Sequence, residues 1–158
     1  MAFKVFISYS GYADEQGVVW RLQTLAAAQG IQVYVPKRAA SSSSWNLSAS
    51  VRKEIEDSDL ILAIITSRTD RAVEGELGFA LGLKKVIIPI VYEGVHLPAF
   101  FNSFPVFRFA PFDPPGALET RIIDYLREQK LGKERLQAAG AVIAVGLGLL
   151  LLSAVAKN

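Results

Sequence analysis

The chain has 158 residues, of which 51% are apolar, with a formal net charge of +2, no cysteine and one histidine, His96. That length holds one ordinary domain plus a short appendage, and basic residues scattered without interleaved aromatics exclude the electrostatic footprint of a nucleic-acid binder. The absence of cysteine, with one histidine, excludes disulfide staples, thiol nucleophiles and the usual zinc spacings, so no metal is expected.

The opening residues Met1-Ala2-Phe3-Lys4-Val5 run straight into a β-rich segment, Phe3 to Ser8, with no pattern of a secretory leader, and a cytoplasmic N-terminal part is expected. After Ser8-Tyr9-Ser10-Gly11, Val18, Leu22 and Leu25 recur at helical spacing until Gly30. Residues 31 to 35 (IQVYV) predict a second strand, which Pro36 ends. A polar loop containing four consecutive serines at 41–44 follows, and Leu47, Val51 and Ile55 mark a second helix. The run Asp59 to Thr66 (DLILAIIT) is almost unbroken in its apolarity, as expected of a strand buried on both faces of a parallel sheet. Ser67-x-x-Asp70 resembles a helix-start box with Ser67 as the cap, and Val73, Leu77 and Ala80 continue the helix. Lys85 to Val91 predicts a fourth strand and residues 105–109 a short fifth. After Pro114-Pro115-Gly116, Leu118, Ile122, Tyr125 and Leu126 make a last amphipathic helix.

From Ala138 to Ala156 no residue is charged, and 19 residues at 1.5 Å each span about 28 Å, the thickness of a bilayer core. Nine of them are Leu, Ile or Val, which on an insertion scale sum to about −4 kcal/mol. A single transmembrane helix over 138–156 is therefore expected. Arg127, Lys130, Lys133 and Arg135 precede it and only Lys157 follows, so the positive-inside rule keeps the preceding domain cytoplasmic in a single-pass, tail-anchored protein.

Five strands alternating with helices imply a parallel sheet covered on both faces, with ligands in the crevice at the carboxyl ends of the strands. A phospho-relay receiver domain needs acids where this chain has Ser8-Tyr9-Ser10 and Thr66-Ser67. Glycines at the offsets of a Rossmann or P-loop motif are also missing. The boxes Val5-Phe6-Ile7-Ser8-Tyr9-Ser10, Ile55-Glu56-Asp57-Ser58-Asp59-Leu60-Ile61-Leu62, Glu76-Leu77-Gly78-Phe79-Ala80-Leu81-Gly82 and Lys85-Val86-Ile87-Ile88-Pro89-Ile90 resemble, in order and spacing, the TIR (Toll/interleukin-1 receptor) family, of the prokaryotic membrane-tethered immune-effector type. The resemblance covers residues 3 to about 127. It implies a flavodoxin-like α/β fold, with five parallel strands in the order 2-1-3-4-5 and helices on both faces. The expected organisation is a domain over 1–132, a short juxtamembrane linker over 133–137 and the membrane helix over 138–156.

Many TIR domains cleave the nicotinamide–ribose bond of NAD+ with one glutamate early in the helix after the third strand, and Glu76 holds that position. Val73 and Ala80, three before and four after it, place its carboxylate beside an apolar stripe, a costly position unless something pairs with it; Glu74 faces elsewhere. By the same resemblance Ser8 and Ser10 line the ribose or nicotinamide side, with a backbone-satisfying turn as the plainer reading. Lys37, Arg38 and Trp45, in the loop after the second strand, are candidates to meet phosphate or adenine, against surface charge and packing. Ser67 is a candidate ligand contact or a helix cap. Many active relatives carry an aromatic four residues before the glutamate, where this chain has Ala72.

NAD+ is thus expected as substrate rather than cofactor, with self-association through TIR domains and a lipid bilayer as the other partners. Two rival readings stand beside depletion of NAD+ by an antiphage effector: a TIR enzyme making a cyclic or modified ADP-ribose for a second-messenger system, and a non-catalytic adaptor signalling by TIR–TIR assembly.

Overall fold

The computed structural model describes residues 2–37, 47–110, 112–114 and 116–138. The chain runs through β1 (Phe3–Ser8), α1 (Ala13–Ala28), β2 (Ile31–Tyr34), α2 (Ala49–Asp57), β3 (Leu60–Ile65), α3 (Arg71–Gly82), β4 (Ile87–Tyr92), a 3-10 segment (Ala99–Ser103), β5 (Phe107–Phe109) and α4 (Ala117–Ala138). Among the described residues the strands form one sheet in the order β2-β1-β3-β4-β5. Every pairing is parallel, with Phe3 opposite Ile31, Val5 opposite Leu60, Ile61 opposite Ile87 and Ile90 opposite Phe107. This is the flavodoxin-like order expected from the sequence.

The unbroken apolarity of β3 resolves into two alternating sets. Leu60, Leu62 and Ile64 point into one core with Val18 and Leu22 of α1 and Ile122 and Leu126 of α4. Ile61, Ala63 and Ile65 point into the other with Ile55 of α2 and Val73, Leu77 and Ala80 of α3. A central strand buried on both faces has no solvated side to mark with polar residues, so its run reads as continuous. With α1 and α4 on one face and α2 and α3 on the other, the helices that follow the adjacent strands β1 and β3 depart to opposite sides. In open parallel sheets such a divergence is the place where a ligand crevice forms, at the carboxyl ends of the strands.

At the amino end, α4 is tied to the sheet by a buried ion pair. Lys133 Nζ lies 2.8 and 2.9 Å from the two carboxylate oxygens of Asp59 and donates to the Ala2 carbonyl at 3.1 Å, while the Lys4 amide donates to Asp59 at 2.9 Å. The side chains of Lys133 and Asp59 are only 8% and 13% exposed.

Several local expectations change. The fifth strand is limited to Phe107–Phe109, and residues 99–103 form a 3-10 segment whose Phe101 is buried in the α2/α3 core. Leu25, assigned to the buried stripe of α1, is 40% exposed, and Val19 and Ala26 are buried beside Val18 and Leu22 instead. Residues 133–137, expected as a linker, lie in helix α4, which runs unbroken to Ala138. The rest of the expected transmembrane helix lies outside the described residues, and among those described no helix is long and apolar enough to cross a membrane.

Candidate functional site

Strand alternation sends Phe6 and Ser8 to the same side of β1, and Phe6 belongs to the core beneath α2 and α3. Ser8, the last residue of β1, therefore meets α3. That helix begins with Asp70 as its N-cap, the Asp70 carboxylate accepting from the Val73 amide. Its apolar face then carries Val73 and Ala80, both fully buried, with Glu76 between them at 1% exposure. The Ser8 hydroxyl donates to Glu76 Oε1 at 2.6 Å. A carboxyl group excluded from water is costly unless hydrogen-bonded, and the Ser8 hydroxyl supplies one such bond. Glu74 is exposed, as its place on the helix requires, and Ala72, at the position of the relatives' aromatic, is buried.

A second polar cluster lies across the same strand ends. Glu15, in the first turn of α1, is 2% exposed. It accepts from the Ser10 amide at 3.1 Å, from the Ser10 hydroxyl, and from the Thr66 hydroxyl at 3.2 Å. The carboxylate thus joins the chain leaving β1 to the chain leaving β3. Nearer to solvent, the Arg68 guanidinium lies 5.0 Å from the centroid of the Tyr12 ring and 3.6 Å from Asp14 Oδ1, joining the same two loops again.

The structure thus brings Ser8 and Glu76 together and places Ser10 beside them, bound to Glu15. Lys37 is exposed, one residue past buried Pro36, whose carbonyl accepts from the Tyr9 hydroxyl at 3.2 Å. Arg38 and Trp45 lie outside the described residues. Ser67 is exposed in the turn after β3 and does not cap α3; Asp70 does, because the chain first makes a turn in which the Thr69 hydroxyl accepts from the Thr66 amide at 3.0 Å. Glu15 went unnoticed in the sequence, where Asp14-Glu15 reads as an ordinary acidic first turn favoured by the helix dipole. A signal was available in the two hydroxyl residues at strand ends, Ser10 and Thr66, which need an acceptor once buried.

The family profile for the TIR domain matches residues 5–120. This chain belongs to the TIR family. The matched span takes in Ser8, Ser10, Glu15, Thr66 and Glu76 and stops in the first turn of α4. No curated protein matches the chain. Among solved structures, this TIR domain is similar to that of the Toll-related receptor TRR-2 from Hydra magnipapillata, at 21% identity and a TM-score of 0.58 over 78% of this chain and 97% of that one. It is similar to the CMP N-glycosidase BcmB of Clostridium botulinum, at 18% identity and a TM-score of 0.52 over 81% and 98% of the two chains. It is also similar to a diflavin flavoprotein A3 from Nostoc sp., at 16% identity and a TM-score of 0.55 over 87% and 97%. At these identities the likeness is one of fold.

Proposed function

We propose that this TIR domain is an NAD+ glycohydrolase that cleaves the nicotinamide–ribose bond, with Glu76 as its catalytic carboxylate. The observation that carries the reading is a buried acid, fixed by Ser8, at the carboxyl end of the sheet where the helices diverge. Rupture of an N-glycosidic bond passes through an oxocarbenium-like sugar, and a carboxylate held in a water-poor site stabilises that cation or grips the ribose hydroxyls. Nicotinamide is cationic while attached and leaves as a neutral molecule, so no second acid has to protonate it. Water then takes the sugar and the product is ADP-ribose; capture by a base of the same dinucleotide would give a cyclic product instead. The fold is shared with a protein named a CMP N-glycosidase, which lends the reaction class a precedent on this architecture.

The residues 138–156 are proposed to anchor the domain as a single-pass tail on the cytoplasmic side of a membrane, the inner membrane if the cell is bacterial. In that setting, assembly through TIR domains would trigger depletion of NAD+ as an antiphage response. The test is turnover of NAD+ by the purified full chain, with products separated by mass spectrometry. Glu76→Gln is expected to lower kcat by at least ~100-fold while leaving the thermal midpoint within a few degrees. Equal rates in variant and parent would remove the site assignment, no turnover in either would favour the adaptor reading, and a cyclic product would favour the messenger enzyme.

A further inference from the structure

We infer that Glu15 is a positioning residue of the same site, one that holds the Ser10 hydroxyl with its proton turned inward so that its oxygen accepts from a substrate donor. The inference rests on the NAD+ reading of Glu76. An ionised carboxylate only accepts, so each hydroxyl bound to it must spend its proton on it. Ser10 gives Glu15 both its amide and its hydroxyl proton, and Thr66 gives a third. The Thr66 oxygen is in turn occupied by the Arg68 amide at 3.1 Å. The Ser10 oxygen accepts no hydrogen bond among the described residues, which leaves its lone pairs for a ligand. Ser8, two residues earlier, follows the same rule with Glu76 as acceptor.

The two carboxylates therefore flank the end of β1, Glu15 from α1 on one face and Glu76 from α3 on the other; Ser8 is fully buried, so Ser10, partly exposed, is the serine whose oxygen can meet a ligand as an acceptor. A site so arranged selects hydrogen-bond donors: the hydroxyls of a ribose or the N–H groups of a carboxamide, both of which a nicotinamide nucleoside offers. Glu76 acts on the bond that breaks. Glu15 acts only through Ser10 and so should govern how well substrate is held rather than how fast the bond parts.

The experiment compares the full chain with Glu15→Gln, Ser10→Ala and the double variant, measuring NAD+ turnover and thermal midpoints. A glutamine keeps the shape but offers an N–H that turns the Ser10 hydroxyl around. Glu15→Gln is expected to raise KM ~10-fold with kcat within about threefold of the parent, Ser10→Ala to do the same, and the double variant to add little to either. An unchanged KM, two effects that multiply independently, or a loss of rate that only tracks the folded fraction would overturn the inference. Should Glu15→Gln fail to fold, Ser10→Ala decides alone, since an unaltered KM there leaves the serine without a substrate contact. A parent chain that leaves NAD+ intact overturns the reading of Glu76 and this one with it; an active parent with an unaffected Glu15→Gln overturns this one alone.

Discussion

Two buried carboxyl groups and one partly buried phenol meet the cost of leaving water differently. Glu76 receives the Ser8 proton, and Glu15 is surrounded by donors from two loops. Tyr125, in contrast, is packed edge-on against Phe107 at 5.7 Å, and its hydroxyl has no hydrogen-bond partner among the described residues. Burial, followed by the nearby Glu128 charge, raises its pKa well above the ordinary 10.0. The unfolded chain releases this proton near pH 10 while the folded chain keeps it. Tyr125 therefore has no effect on the pH dependence of stability below about pH 10, and stability falls as pH rises above that value. Tyr125→Phe removes both the ionisation and the unpaired hydroxyl. Its thermal midpoint is expected to match or slightly exceed that of the parent at pH 7 and to fall less steeply between about pH 10 and 11.5, measured by circular dichroism.

At the scale of elements, the end of α3 shows a local conflict. Lys84 adopts a φ of 58° just past the helix, where its amide reaches the Leu81 carbonyl and the Lys85 amide reaches that of Ala80. Glycine is the residue that this left-handed closing turn accepts without steric cost. Lys84→Gly is expected to stabilise the domain by about 0.5–1 kcal/mol, seen as a rise in the denaturation midpoint with an unchanged slope. Lys85 explains why the lysine pair is nonetheless useful: its ammonium donates to the carbonyls of Glu56 and Ser58 at 2.6 and 2.8 Å, closing the end of α2, and burial lowers its pKa. What the sequence revealed follows from the same local physics. The apolar runs of β3 and β4 follow from length and composition, and the stripe Val73-Leu77-Ala80 with the place of Glu76 on it from helical periodicity, both of which are written in the chain. Ser67 and Asp70 both fit a helix start by residue type, Asp70 being three residues before Val73, and only the turn made by Thr66–Thr69 puts the cap at Asp70. Glu15 and Lys133 were not legible, because an acid in a first turn satisfies the helix dipole whether or not it is buried, and Lys133 is one of several bases spread along α4, with nothing local to mark it as the buried one. Only the fold brings Ser10 and Thr66 to one and Asp59 to the other.

At the scale of the molecule, α4 fixes how the domain would stand on a membrane. A helix in such a sheet runs antiparallel to the strands, and the contacts of Lys133 with Ala2 and Asp59 place its C-terminal part at the amino edge. Glu76 and Glu15 lie at the opposite edge, separated from it by a strand length of about 20 Å. A domain cut after residue 132 would lose the Lys133–Asp59 pair and leave the Asp59 carboxylate, 13% exposed, without its cation. The folded unit therefore extends at least through Lys133, and the proposed anchor follows from Ala138 with no room for a loose hinge among the described residues. On the proposed anchoring, such a stalk would hold the carboxyl edge away from the lipid, open to a soluble dinucleotide and to other copies of the domain. The chain has no cysteine, so single introduced thiols report position cleanly. Gln29, at the amino edge, and Glu93, at the carboxyl edge, are both exposed. In vesicles carrying a headgroup acceptor dye, a donor dye on Gln29→Cys is expected to transfer energy more efficiently than one on Glu93→Cys. Equal or reversed efficiencies would overturn the upright orientation, whereas a full chain that stays out of the vesicle fraction would overturn the anchor itself.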